Sequence, residues 1–531
     1  MTNRRVPGDF RLRLLTAALA LTGLIGPWCA AISAGTYTSA VATITRQGLR
    51  RHCLFLASDA LEGRETGTQG GQAAGAYIVA QLRKQKLSPA GPNGDYYQPF
   101  AGTGNGTSNN IVCRLPGSDP ELAKECVIVC AHYDHVGRGN SRNSRGPTGY
   151  IHHGADDNAS GTSALLELIS AFTSLDTAPK RSLVFIFWDA EEAGLLGSEY
   201  WVQYPTIPLN DVRLVFNLDM VGRLRENRAE VFGARTAAGL RELIAANNHD
   251  PSILMTFSWD TRRDSDHYPF YAHQIPFLMV FTGKHAEYHT PYDDVEKLNV
   301  DGMERVTRLL FRTAYAAAQA PRLPAFRPAA FQDGSARQES TELPADVPPP
   351  RLGVTWDEGR AREHVIEIVQ VDPGSPAEAA GIQLGDQVVK FDRAPIHNAA
   401  EMREAVLAAP DDTSAVIVHR GQTAPRTLAV HLLVPAHPSG IICRTDDADP
   451  DCVIVGRVLA GSAAERAGLR LNDHIYKVSG KPVSSLPQIT TLLSRGSGRQ
   501  SVEIERDGEV RTLEVMLPQR DAGKDLPASP R

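Results

Sequence analysis

Apolar positions fall into two regimes along this chain. Between residues 38 and 320, short unbroken apolar runs alternate with stretches in which apolar residues recur every three or four positions. The runs at 110–115, 126–131, 183–188, 212–220 and 275–281 are dense in β-branched and aromatic residues. Runs of that length and composition predict strands buried on both faces. Helical periodicity covers 44–56, 70–86 and 162–172. Such alternation predicts an α/β fold, a three-layer domain over residues 38–320 with a mixed, mainly parallel central sheet and helices on both sides.

Beyond residue 320 the pattern changes. Residues 321–348 turn to Pro, Ala and polar residues, which predicts an extended linker. The chain then repeats itself: Asp372-Pro-Gly-Ser-Pro-Ala-Glu-Ala-Ala-Gly-Ile-Gln-Leu-Gly-Asp386 matches Leu459-Ala-Gly-Ser-Ala-Ala-Glu-Arg-Ala-Gly-Leu-Arg-Leu-Asn-Asp473 almost position for position. A short strand, a Pro-containing turn and an amphipathic helix follow each copy, the helices at 399–408 and 486–494. Two copies are too few for a solenoid. They predict two small β-rich α+β domains in tandem, 349–435 and 437–519, with 520–531 a disordered tail.

The first 34 residues stand apart. Arg4, Arg5, Arg11 and Arg13 precede an apolar segment from Leu14 to Trp28 and the small-residue stretch Cys29-Ala-Ala-Ile-Ser-Ala34. That order is a secretory signal peptide, with an apolar core too short for a comfortable membrane span. The expected location is secreted or periplasmic, and a membrane enters only if the segment stays uncleaved or Cys29 is lipidated. Six cysteines remain after the signal, and in an oxidising compartment Cys443 and Cys452, flanking a polar turn, suggest a local disulfide. Cys113, Cys126 and Cys130 lie in apolar runs, where reduced buried thiols are the default. At 42% hydrophobic and a net charge of -6 with both signs interspersed, the chain is globular and carries no electrostatic footprint for nucleic acid.

Candidate chemistry sits where apolar runs end. Each of four strands closes near a potential ligand: His132, the pair Glu191 and Glu192, Asp219, and His289. In open α/β sheets the carboxyl ends of strands border the crevice, so these groups can converge. Asp157 in Gly154-Ala-Asp-Asp-Asn-Ala-Ser-Gly161 adds a fifth position; alone it could cap the next helix, but glycines flanking carboxylates suit a loop pressed against an ion. Histidine and carboxylate without thiolate favour zinc over calcium or magnesium. The count implies two zinc ions, one held by His132 with Asp219 and one by Glu192 with His289, with Asp157 bridging. Glu191, free of metal, is placed as the general base. Asp134 is the expected partner orienting an imidazole, and Tyr288 a donor to a developing oxyanion. His135, His152, His153, His267 and His285 are left out, since a lone histidine is more often structural; His267, in Ser265-Asp-His-Tyr-Pro269, is the most tempting of them.

The segments Ala131-His132-Tyr-Asp134, Gly154-Ala-Asp-Asp157-Asn-Ala-Ser-Gly, Asp189-Ala-Glu191-Glu192-Ala-Gly-Leu-Leu-Gly-Ser, Asn217-Leu-Asp219-Met and Tyr288-His289-Thr resemble the motif series of the co-catalytic di-zinc aminopeptidases, of the bacterial leucyl aminopeptidase and aminopeptidase Y type. The resemblance spans about residues 40–320, and Leu56-Ala-Ser-Asp-Ala-Leu-Glu-Gly-Arg-Glu-Thr-Gly67 is similar to that family's N-terminal segment. It implies a single α/β domain, two zinc ions in the roles above, and removal of N-terminal residues from peptides. Residues 98–109 are too few for the protease-associated insertion of some relatives, and the polar loop 137–153 keeps substrate preference open. The repeated units resemble PDZ domains of the bacterial protease-associated kind, with Arg351-Leu-Gly-Val354 similar to a carboxylate-receiving loop and Gly440-Ile-Ile442 a weaker match. PDZ domains imply peptide or protein C-termini as partners; the other possibility is that one or both only pack on the catalytic domain. A carboxypeptidase, a glutaminyl-cyclase-like reaction, or a silent PDZ scaffold remain as alternatives.

Overall fold

The computed structural model describes residues 34–517 apart from 103–106, 250, 343–351, 373–374, 409–412, 422, 433–438, 459–461 and 496–497. The signal segment expected at 1–34, but for Ala34, and the tail expected at 520–531 lie outside the described residues. No helix among those described is long and apolar enough to cross a membrane.

The N-terminal part is built on a nine-stranded sheet: β1 (Ser88–Pro89), β2 (Tyr97–Ala101), β3 (Thr107–Leu115), β4 (Cys126–His132), β5 (Ser182–Trp188), β6 (Val212–Leu218), β7 (Arg228–Phe232), β8 (Leu254–Phe257) and β9 (Phe277–Phe281). Their order is β1-β3-β5-β4-β6-β9-β7-β8, with β2 paired to β3. The central strands β5, β4, β6 and β9 are mutually parallel, whereas β3 and β7 run antiparallel to their central neighbours. Because side chains alternate, β5 sends Leu183, Phe185 and Phe187 into one core and Val184, Ile186 and Trp188 into the other. Each such fully buried side chain contributes about 1.5–3 kcal/mol of transfer free energy. This two-sided burial is why the strand is an unbroken apolar run.

Helices α1 (Ala34–Thr43), α2 (Arg46–Leu56), α3 (Gln69–Lys84), α4 (Gly161–Thr173), α5 (Leu196–Gln203), α6 (Leu240–Ala246), α7 (His267–Ala272) and α8 (Val300–Gln319) cover the sheet. Leu165, Leu168 and Ile169 of α4 and Met303, Val306 and Leu310 of α8 belong to one core, and Trp201 of α5 and Phe270 of α7 to the other. Starts are set by side-chain caps: Thr45, Thr68 and Asn299 accept from the backbone N–H groups of Gly48, Gly71 and Gly302. The stretch expected as an extended linker is in part folded. Residues 328–332 form a 3-10 turn and Ser335–Thr341 a helix, α9. Gln338 donates to Phe257 O at 2.9 Å and accepts from Trp259 N at 3.1 Å, and Ala330 enters the core beside Tyr271.

Two antiparallel sheets follow, with the same strand order in each. The sequence repeat marks equivalent hardware. Ser375 and Ser462 each cap a short helix, accepting from Glu378 N and Glu465 N. Arg420 grips Asp386 with two bonds and Arg506 grips Asp473 likewise, each arginine also donating to the carbonyl of a helix-ending glycine, Gly381 or Gly468. The first unit has its own core around Ile366, Val388 and Val416; the second is built around Val453, Ile475 and Ile504. The anticipated Cys443–Cys452 disulfide is absent, and both thiols are free. Cys443 packs toward the core of the second unit, whereas Cys452 sits on the opposite face with Ile454 and Tyr476. Cys443 pairs with Val455 of the next strand, three positions past Cys452, so the alternation of faces separates two residues that sequence spacing brings together.

The second unit is docked on the sheet edge next to β8 and α6. Met255 N donates to Asp507 O at 2.7 Å and Asn248 Nδ2 to Gly508 O at 2.7 Å. Both residues of the Asp507-Gly508 turn have positive φ, 53° and 79°, as a tight hairpin requires. Arg241 bonds both oxygens of the buried Glu505, and Arg235 bonds both oxygens of Asp446 at 2.8 and 3.1 Å.

Candidate metal centre

The C-terminal ends of β4, β5, β6 and β9 gather the candidate ligands at one edge of the sheet, where β4 sits between β5 and β6 and the connection from β5 to β6 crosses over it. This is the switch-point crevice of an open α/β sheet. His132 is the last residue of β4, Asp219 follows β6, and Glu191 and Glu192 follow β5 in a turn before α5. Asp157 lies in a wide helical turn at 155–160 whose backbone leaves the helical region at Asp157 (φ -102°, ψ 99°) and Asn158. It does not cap α4, whose first N–H, Gly161 N, donates to Asn158 Oδ1 at 3.0 Å instead.

Two sets of donor atoms converge, each within 4.8 Å: His132, Asp157 and Asp219, and His135, Asp157, Glu192 and His289. Asp157 belongs to both. His132 Nε2 stands 3.4 Å from Asp157 Oδ1 and 3.5 Å from Asp219 Oδ1. His289 Nε2 stands 3.0 Å from both Asp157 Oδ2 and Glu192 Oε2. Four ligands at zinc–nitrogen and zinc–oxygen lengths lie about 3.3 Å apart around a tetrahedron. These separations fit donors that share an ion, and the donor set of imidazole and carboxylate suits zinc. His289 Nε2 and Asp157 Oδ2 are buried without a good hydrogen bond, as metal-facing atoms are.

Electrostatics point the same way. Burial of carboxylates without cations is costly, and here Asp134, Asp157, Glu191, Glu192 and Asp219 share one small volume. Burial pushes the Glu191 carboxyl well above the usual range, with Glu192, Asp266 and Asp219 adding to the push and His132 opposing it. Burial acts against charge on His289, but the Asp157 and Glu192 carboxylates, each 3.0 Å from Nε2, hold its proton up to about 10. Asp157 is held well below the usual range against burial, by His132 and His289. The cluster therefore favours positive charge at the places where two cations would sit.

Surrounding groups fix the cluster. Asp134 Oδ1 stands 3.7 Å from His132 Nδ1, longer than a hydrogen bond. Its carboxylate instead accepts from Glu191 N at 3.1 Å and Glu192 N at 3.3 Å, holding the turn that carries both acids. Ser265 Oγ donates to Asp219 Oδ2 at 2.7 Å, and Asp293 Oδ2 accepts from Asp156 N and Asp157 N. Arg64, fully buried, donates to the carbonyls of Leu56, Tyr133, His153, Gly154 and Asp157. His289 Nδ1 bonds Asn143 O at 2.9 Å, which aims Nε2 at the acids. Asn143 belongs to the polar loop 137–153, so that loop supports the site. Tyr288 stacks on His289 with centroids 4.0 Å apart, under Arg145 and Lys284.

The histidines set aside from sequence divide. His267 is buried against Phe277 and bonds the carbonyls of Thr261 and Arg262, a structural role. His152 bonds Ser144 and Tyr150, and His153 faces Asp59 and Asp294. His285 sits 3.3 Å from Asp156. His135 is different: it joins the second donor set, and its position three residues past a ligand was the signal available in the sequence.

Residues 110–314 match the profile of peptidase family M28, and 350–432 and 454–505 match PDZ domain profiles. Aminopeptidase YwaD of Bacillus subtilis is 29% identical over 233 residues, 41% of this chain and 47% of that protein. Leupeptin-inactivating enzyme 1 of Streptomyces exfoliatus is 30% identical over 214 residues, 38% of this chain and 41% of that protein. The chain thus spans less than half the length of these curated relatives. The LapA aminopeptidase structure from Legionella pneumophila aligns with 60% of this chain and 81% of its own at a TM-score of 0.45 and 20% identity. Residues 110–314 are accordingly a domain of peptidase family M28, and two PDZ domains follow it.

Proposed function

We propose that this protein is an exported zinc aminopeptidase that removes N-terminal residues from peptides at a two-ion centre, its PDZ domains taking part in partner or substrate recruitment. The observation that carries this reading is the pair of donor sets joined at Asp157, with Glu191 beside them and outside both. His132, Asp157 and Asp219 would hold one zinc, and Asp157, Glu192 and His289 the other. Bound zinc supplies a water ionisable near neutral pH and polarises the scissile carbonyl.

The chain's own residues do the rest. Glu191, buried and raised in pKa, takes the proton from the attacking water and returns it to the leaving amine. Asp134 keeps the Glu191 and Glu192 backbone in place through its two N–H contacts. The Tyr288 hydroxyl, kept neutral chiefly by burial, can donate to the oxyanion. The basic, apolar and small order of residues 1–34 supports export to the periplasm or beyond. Gly353 (φ 73°) and Gly440 (φ 80°) press their loops against Ser375 and Ser462, where an added Cβ would lie 2.3 and 2.1 Å from the serine Cβ. That shared loop geometry supports a common carboxylate-receiving site in both units.

The test offers the zinc-loaded protein matched peptides with free and blocked N-termini, with and without chelator. Cleavage confined to free N-termini and lost with chelator is expected. Equal cleavage of blocked peptides would remove the aminopeptidase assignment, and release of C-terminal residues would replace it with a carboxypeptidase.

A further inference from the structure

His135 has no assigned role, yet its surroundings are those of a ligand. We infer that His135 is a protein ligand of the ion held by Glu192 and His289, so that the chain closes this half-site while the His132, Asp157 and Asp219 half-site keeps a position open. The inference rests on the two-ion reading above and deepens it.

Both oxygens of Glu192 face an imidazole nitrogen. Oε2 lies 3.0 Å from His289 Nε2 and Oε1 lies 2.8 Å from His135 Nδ1. His135 Nδ1 is also 3.9 Å from Asp157 Oδ2. Adjacent ligands at right angles around zinc lie about 2.9 Å apart, and wider angles give longer separations. The three spacings fit one crowded coordination sphere with Glu192 contributing both oxygens. The two rings approach at 87° with centroids 5.6 Å apart, each pointing a nitrogen at the same carboxylates.

The ring is also placed deliberately by the backbone. His135 N donates to Arg64 O at 3.3 Å, and residue 135 forms a bridge with Glu65. Gly154, at φ 55°, lies so close that an added Cβ would stand 2.5 Å from His135 Cδ2. Only glycine lets the loop carrying Asp157 lie flat on that ring. The imidazole and the bridging carboxylate are thereby held against each other before any ion arrives.

Closure of one half-site makes the two ions unequal. Sites saturated by protein ligands act as structural anchors, whereas sites with three protein ligands leave room for water or substrate. The tight ion would sit at Glu192 and the exchangeable, substrate-facing ion at His132. The competing arrangement has His135 donate from Nδ1 to a non-ligating oxygen of Glu192, which makes it a positioning residue only.

Metal content and cobalt spectra separate these without recourse to activity. Wild type, His135→Ala and His135→Cys are stripped, checked for native near-UV circular dichroism, and titrated with zinc in competition with a chelator. Wild type is expected to bind two ions, one at least about 10-fold tighter than the other. His135→Ala should lose at least about 10-fold at the tight site alone. Cobalt-loaded His135→Cys should gain a thiolate-to-metal charge-transfer band that wild type lacks. Two cobalt ions bound to His135→Cys without that band, or unchanged affinities in His135→Ala, would overturn the inference. Failure of wild type to bind a second ion would instead overturn the two-ion reading.

Discussion

At the scale of single residues, Glu191 and Arg64 do opposite kinds of work. Glu191 lies outside both donor sets, so on the proposed mechanism its replacement should spare the metal and remove the proton carrier. Glu191→Gln is expected to lower kcat by about 10²–10⁴-fold with zinc content unchanged by elemental analysis. Loss of zinc together with activity would mean that Glu191 is a ligand. Arg64 never touches the donor atoms, but its guanidinium ties five carbonyls, among them Gly154 and Asp157, into one frame. Arg64→Ala leaves those buried acceptors unpaired and is expected to cost about 3 kcal/mol or more in denaturant unfolding. The convergence of His132, Asp157, Glu192, Asp219 and His289 was foreshadowed in the sequence, because acids and histidines clustered at the ends of apolar strands stand out against the runs they close. Arg64 was not legible: its partners are backbone carbonyls, which leave no mark on the residues that carry them.

At the scale of elements, the site depends on how closely α4 enters against β6. Gly161 opens α4 where an added Cβ would lie 2.4 Å from Leu218 O and 2.3 Å from Asn158 Oδ1. Asn158 in turn donates to Leu218 O and accepts from Met220 N, so this contact sets the distance between Asp157 and Asp219. Gly161→Ala should cost about 1–3 kcal/mol by overpacking and should weaken zinc binding, read in one titration with thermal unfolding. Retention of both would show that the loop can give way. The strands of the central sheet were readable from the sequence because two-sided burial leaves few polar positions, such as Arg213 and Asn217 in β6. The elements around them were less so. The loop 137–153 has no period, and its use to aim His289 through Asn143 O is a backbone contact across 146 residues. His135 is legible only in part: its place three residues past His132 is a local signal, but the contact that seats its ring comes from the distant Gly154. The Cys443–Cys452 spacing does not make a disulfide, because the pairing of Cys443 with Val455 sends the two side chains into different clusters.

At the scale of the whole molecule, the second PDZ domain is an integral part of the peptidase body. Arg235 reaches Asp446 across 211 residues and Arg241 reaches Glu505 across 264, a complementarity without local period and so invisible in the sequence. Breaking a buried, two-bonded pair strands a charge, so Arg241→Ala should cost about 3–5 kcal/mol and should expose the interface to proteolysis near Asp507. Glu242 offers a subtler probe of the same surface. Burial, with Asp451 and Asp449 nearby, pushes its carboxyl from 4.5 up to about 7. Below pH 4.5 the folded and unfolded chains both hold this proton. Between 4.5 and about 7 the folded chain retains a proton that the unfolded chain has released, so stability falls as pH rises through that window. Above about 7 the whole penalty is present, of the order of 3 kcal/mol. Glu242→Gln carries no charge to lose and should therefore be more stable than wild type at pH 8 and equal to it at pH 4. If the docking surface is the source, the gain should vanish when residues 437–531 are removed from both proteins, because Asp449 and Asp451 go with them; a gain that survives the truncation would place the strain within α6 itself.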